Sequence, residues 1–427
     1  MEHLLHYVWK HKLFPLRELR TTDGIAVEVI DPGLYNSDAG PDFFNAKLKI
    51  GGVLWVGNVE MHLLSSDWYR HGHDKDKLYD TVILNVVEKI DTELRRSDGE
   101  KIPQMELACP EYVKTNYRLL CEADAYPPCY SILPSLSRLT IHSWLTALQT
   151  ERLQQKADSI DTRLHSCDFY WEDAFFVTLA RNYGFGVNGD IFERWAKHLP
   201  FRAIDKHRND LFQIEAFLFG QAGFLEDSFL PESQKDEYWH GLQKEFRYLQ
   251  HKFSLSPAMD NSLWRFLRLR PQNFPYVRMA QLAYFYQKGE GLFSQLMEAE
   301  TLDSLRLLLQ ISTSDYWKSH FIFGKLSVCR EKKMGKRSLD LVIINTVVPF
   351  LYAYGLHKGE LRISNRALDF LETLKAEENH IVALWERAGL KVESAADSQA
   401  LVQLQTEYCN QKKCLFCRFG YEYLKHQ

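Results

Sequence analysis

The spacing of hydrophobic residues changes once along the chain. Up to about residue 120 apolar positions mostly alternate with polar ones, the period of a sheet with one buried face, as in Phe44, Ala46, Leu48 and Ile50. A short apolar helix ("HLLHYVWKH") comes first. A hairpin is expected around Asp23-Gly24 and a second around Gly51-Gly52, because paired turn residues of this kind adopt the left-handed backbone that tight hairpins need. The polar stretch "DWYRHGHDKDKLYD" reads as a connector with a short helix. It is followed by a buried strand, "TVILNVVEKI", and a last strand near "PQMELA". From about Leu133 the period becomes 3.6, as in "LTIHSWLTALQTERLQQKADSI" and "DEYWHGLQKEFRYLQHKF", and it persists to the end. "YPPCYSILPS" (residues 126–135), with its three prolines, marks the boundary. The expected architecture is α+β, with a mixed domain over residues 1–125 and a large helical domain over 126–427. "IINTVVPF" is expected to be a buried helix kinked by Pro349.

A chain of 427 residues exceeds the roughly 250 to 300 at which single cores stop growing, which agrees with more than one domain. Its apolar runs are too short or too interrupted to suggest a membrane span, and its start lacks the apolar core of a signal peptide, so a cytoplasmic protein is expected. The net charge of −4 conceals an uneven distribution. Residues 1–100 carry 12 Lys and Arg against 17 Asp and Glu, whereas residues 261–427 carry 23 against 17. An acidic segment that gathers cations, accompanied by a basic one that gathers phosphates, suits a metal-dependent enzyme acting on nucleic acid.

The acidic segment has a pattern that fits this chemistry. Pro41-Asp42 opens the first strand of the second hairpin, and Glu60-x-His62 closes its second strand. Two carboxylates on adjacent antiparallel strands can converge on one ion, and the residue two places after the second shares its face. The spacing and strand context resemble the PD-(D/E)XK nuclease superfamily. The resemblance implies a restriction-endonuclease-like α/β core, Mg²⁺ or Mn²⁺ bound by Asp42 and Glu60, and a third position that orients or activates the attacking water. Here that position is His62 in place of the superfamily's lysine, so a fixed positive charge is replaced by an imidazole able to accept a proton. Over most of its length, through "GPDFFNAKLKI", "GNVEMHLLSSDWYRHGHD", "YDTVILNVV", "LFGQAGFL" and "LRPQNFPYVRMAQLA", the chain also resembles a bacterial family classed as a domain of unknown function.

Three further groups carry candidate chemistry. His71, His73 and Asp76 follow the hairpin and can hold Zn²⁺ or Mn²⁺ or touch a phosphate; the alternative is a polar connector with Asp67 capping a short helix. Near the end, Cys409, Cys414 and Cys417 form a C-x4-C-x2-C pattern. With Cys129 as preferred fourth ligand, and Cys121 as second choice, they suit a structural Zn²⁺ or a 4Fe-4S cluster. A ligand set split in this way resembles the iron-sulfur staple of some helicase-associated nucleases; the alternative is a set of half-buried cysteines on one helix face. Arg268, Arg270 and Arg278 crowd around two prolines, either to contact DNA or to pair with helix ends in a helical corner. The expectation is a DNA-cleaving, metal-dependent nuclease of repair or defence. Its rivals are an inactive nucleic-acid-binding scaffold of the same fold and a hydrolase of small phosphorylated substrates.

Overall fold

The computed structural model describes residues 2–14, 19–123, 127–289 and 291–426. A mixed β-sheet region spans residues 27–106, and a large, mostly helical region follows, so the protein is α+β. The chain forms two compact units. The first comprises Met1–Ile141, Leu384–Leu390 and Leu404–Gln427; the second comprises His142–Ala383 and Lys391–Gln403. The carboxy-terminal segment therefore belongs to the same unit as the sheet. Residues 124–126, where the proline-rich boundary begins, lie outside the described residues.

In the first unit, helix α1 (Glu2–Lys10) precedes strands β1 (Val27–Asp31), β2 (Leu34–Tyr35), β3 (Phe43–Ile50) and β4 (Val53–Leu64). A connector with short helix α2 (Asp67–Arg70) leads to β5 (Val82–Lys89), β6 (Gln104–Glu106) and helix α3 (Glu111–Glu122). The strand order is β1-β3-β4-β5-β6, with β2 also on β3. β1, β2 and β4 pair with β3 antiparallel, whereas β4–β5 and β5–β6 are parallel. Gly51 and Gly52, at φ 61° and 82°, close the β3–β4 hairpin as its paired glycines suggested. The hairpin expected around Asp23-Gly24 forms as a short one, with Arg20 bridging Ala26, Thr21 N–H donating to Ile25 O and Val27 N–H to Leu19 O; residues 15–18 of its first arm lie outside the described residues.

Two local features set the register on which the site depends. Asn45 adopts φ 54°, and the ladder shifts between Phe43 and Ala46; Asn58 Oδ1 accepts the freed Asn45 N–H at 3.1 Å. Phe43 is thereby set opposite Val59, and Asp42 lies beside Glu60. On β4, a Cβ at position 57 would fall 2.4 Å from Ile83 Cγ2, so Gly57 is what admits β5 alongside.

The second unit is a helical array around an aromatic core. The indole N–H groups of Trp195, Trp239 and Trp264 donate to the carbonyls of Leu218, Phe224 and Ala222, which satisfies these three donors inside the core. Within the run Lys336–Lys358 the backbone widens into a π turn at Ile343–Val347, just before Pro349. Pro349 has no N–H for the Asn345 carbonyl four residues earlier, and Asn182 Nδ2 donates to that oxygen at 2.9 Å. This run is long and apolar enough to cross a membrane by length and composition, but 67% of its most apolar window is buried in the protein. The helices Leu211–Gln221 and Glu237–Phe253 meet where Gly220 faces Phe246, and a Cβ there would lie 2.1 Å from the ring. Gly220→Ala is expected to lower stability by about 1 to 3 kcal/mol through overpacking. An unchanged melting temperature would show that the Phe246 ring yields without cost.

Candidate metal centre

Along β4 the side chains of Val59 and Met61 face one way and those of Glu60 and His62 the other, yet all four are buried. The polar face is covered because β4 and β5 run parallel. A parallel pair needs a crossover, and here the crossover is the connector of residues 65–81, which lays Trp68, His73 and Tyr79 over the strand. Gly72, at φ 78°, makes the tight turn that presents His71 and His73 together. His62, His71 and His73 each bring a ring nitrogen within 4.8 Å of the other two, with His71 exposed.

Two carboxylates sit beside these rings. Glu60 Oε2 accepts the Asp42 backbone N–H at 3.0 Å, and Asp42 Oδ2 accepts the Met61 N–H at 2.9 Å, so each strand's carboxylate is tied to the other strand's backbone. Glu60 Oε1 lies 3.4 Å from His73 Nε2 and 3.6 Å from His62 Nε2. His6, from α1, places its Nε2 3.4 Å from Asp42 Oδ2. Behind His62, the buried amide of Asn85 places Oδ1 3.3 Å from Nδ1. With Nδ1–H donating to that oxygen, His62 Nε2 carries a lone pair and, among the described residues, has no hydrogen-bond donor.

The electrostatics are unbalanced. Burial, reinforced by the Asp42 charge, pushes the Glu60 carboxyl up to about 9. Burial, with His73 next, pulls His62 down to about 4, and burial also lowers His73. Tyr79, stacked on His73, is raised to about 12 by burial and by the charges of Glu60 and Asp42. The buried Glu60 carboxyl group faces two imidazole nitrogens at 3.4 and 3.6 Å, a spacing that a shared proton or a cation can fill. The donor set of carboxylate oxygen and imidazole nitrogen fits a borderline divalent ion such as Mn²⁺ or Zn²⁺ better than Mg²⁺, which prefers an all-oxygen shell.

The remaining candidates fall elsewhere. Asp76 is exposed and caps a 3₁₀ turn by accepting the Leu78 N–H. Asp67 sits at the first helical position, with Ser66 as N-cap, and accepts from the Leu64 N–H and from Arg70. Arg268 and Arg270 are not buried, but Arg278 is; its guanidinium donates to Gln281 Oε1 and Asn273 Oδ1 and lies over the Phe185 ring. Cys129, Cys409, Cys414 and Cys417 all belong to the first unit. Sequence reasoning missed His6, Asn85 and Tyr79. The signal for His6 was a histidine inside the apolar stripe of Leu4, Leu5, Val8 and Trp9.

The family described as "Protein of unknown function (DUF2851)" matches residues 2–380. The chain belongs to this family. No curated protein matches, and no solved structure matches. In this DUF2851 chain the Asp42, Glu60, His62, His71 and His73 side chains all lie within the matched span.

The pH dependence of metal-free protein follows from the burial of Glu60 and His62. Folded Glu60 holds its proton up to about 9 whereas the unfolded chain loses it near 4.5, so this group's stabilisation fades as pH rises through that interval. His62 acts oppositely between about 4 and 6.5, where the unfolded chain binds the extra proton. Above pH 6.5 the Glu60 effect stands alone of the two. The melting temperature of metal-free protein should fall between about pH 7 and 9, and Glu60→Gln should flatten that slope. A slope that survives the substitution would place its origin in another group.

Proposed function

We propose that this protein is a divalent-metal-dependent phosphodiesterase whose substrate is DNA. The observation that carries this reading is the pair of Asp42 and Glu60 on neighbouring strands, with Glu60 Oε1 facing the Nε2 atoms of both His62 and His73. Asp42, Glu60, His62 and His73 would hold the ion, with Mn²⁺ or Zn²⁺ better suited than Mg²⁺. The ion would polarise a phosphate oxygen and lower the pKa of water for in-line attack. Asn85 fixes the His62 ring with Nε2 inward, and His6 braces Asp42 from α1. His71, the exposed member of the imidazole group, is placed to meet substrate and to exchange a proton with the reacting oxygen. The position of Glu60-x-His62 after Pro41-Asp42 supports a nuclease of the PD-(D/E)XK kind, with imidazole in place of the lysine. Support for DNA as substrate is electrostatic, from the excess of Lys and Arg in residues 261–427 and from Arg268 and Arg270 at the surface.

Asp42→Ala and Glu60→Ala should each reduce Mn²⁺-dependent cleavage to background. Wild-type protein inactive on single-stranded, duplex and branched DNA with Mn²⁺, Zn²⁺ or Mg²⁺ would remove the nuclease reading. Hydrolysis of a small phosphodiester without DNA cleavage would move the substrate to small phosphorylated molecules.

The arginines give a separate test. Replacing Arg268 and Arg270 with Gln should weaken DNA binding and reduce its log-log salt slope by roughly 0.7 to 0.9 for each phosphate no longer neutralised. Arg278→Gln should instead lower the melting temperature, because its guanidinium is committed to internal partners. An unchanged salt slope in the double variant would exclude these two side chains from the DNA interface.

A further inference from the structure

The first unit has a second corner dense in metal-ligating groups, built from segments far apart in sequence. Helix Arg418–Leu424, which starts directly after Cys417, packs on α3 and on the 3₁₀ turn Tyr130–Ser135, which starts directly after Cys129. The turn Cys414–Phe416 packs against that helix and against the π turn Leu404–Cys409, which ends on a cysteine. Sequence separation between Cys129 and the other three is thus cancelled by the fold.

The backbone in this corner is tightly folded. Between Cys409 and Cys414 the chain reverses through Lys412 at φ 55°, where Lys412 N donates to Cys409 O at 3.0 Å and Lys413 N to Tyr408 O at 2.8 Å. Cys417 N then donates to Cys414 O at 3.2 Å. A Cβ at Gly420 would lie 2.1 Å from the Cys414 carbonyl oxygen, so only glycine lets the final helix approach this closely. Asn116 Nδ2 donates to the carbonyls of Tyr423 and His426, and Lys412 Nζ to that of Cys121, pinning the segment to α3.

We propose that Cys129, Cys409, Cys414 and Cys417 form a four-thiolate site for a single zinc ion, distinct from the carboxylate and imidazole centre. Four sulfurs on short turns, two of them separated by two residues, suit the closed tetrahedral shell of structural zinc. Within this corner Cys129 lies in electrostatic reach of Cys417, Cys409 and Cys414, and Cys414 in that of Cys417 and Cys121. A divalent cation among neighbouring thiols holds them as thiolates. Cys121, in the last turn of α3, neighbours Cys414 and is the cysteine left over once Cys129, Cys409, Cys414 and Cys417 complete a four-sulfur shell.

The test uses the full-length chain, purified under nitrogen. About one zinc per chain is expected from a structural site, retained by His71→Ala, His73→Ala and Cys121→Ser, and lost in Cys129→Ser and Cys417→Ser. Wild-type protein should show the four thiols protected from alkylation until a chelator is added, and Co²⁺ exchanged into the site should give intense sulfur-to-metal absorption. These two measurements decide the matter even where a cysteine variant fails to fold. Alkylation of the four thiols as fast as the exposed Cys329 would overturn the proposal. Iron with sulfide, or cobalt bands lacking thiolate charge transfer, would overturn it equally.

Discussion

The carboxylates of Asp42 and Glu60 depend on each other's strands. Each accepts a backbone N–H from the neighbouring strand, Glu60 from Asp42 and Asp42 from Met61, so neither can leave without freeing a buried donor. This reciprocal bond fixes the separation of two acidic groups that burial and mutual repulsion would otherwise drive apart. The rest of the site is arranged around that constraint. His6 approaches from α1, Asn85 from β5 and His73 from the crossover, each directed at one carboxylate or one imidazole.

Much of this fold was legible in the sequence. Alternating apolar positions and the paired Gly51-Gly52 turn located β3 and β4, and the continuous apolar run of β5 marked a strand covered on both faces. The direction of pairing was not legible. Nothing in "TVILNVVEKI" says that it lies parallel to β4, yet that choice makes residues 65–81 a crossover that buries Glu60 and His62. A polar face on a strand ordinarily means solvent, and only the tertiary route of the connector changes that. Helix α3 was not anticipated either, because its apolar stripe of Val113 and Leu120 is thin.

The arginine cluster shows the same limit. Arg268, Arg270 and Arg278 look alike in a row of residues, but helix Pro275–Lys288 turns Arg278 inward, where Gln281 and Asn273 accept from it, and leaves the other two at the surface. The cysteines were legible as a spacing, and what the sequence lacked was the return of residues 404–427 to the unit that contains the sheet.

The bulges that set register also determine where the chain can change length. Side chains on β4 alternate faces, and the ladder is irregular between Asn58 and Val59 on one side and between Phe43 and Ala46 on the other. One residue inserted or deleted between Gly57 and Glu60 would exchange the two faces, turning Glu60 and His62 toward the side that Val59 and Met61 occupy and lining the side beneath the connector with aliphatic groups. The Gly51-Gly52 turn carries no such restriction, since lengthening it leaves both strands in phase with their neighbours. Homologous chains that keep this centre are therefore expected to vary in length at the hairpin tip and to conserve length strictly from Gly57 to His62.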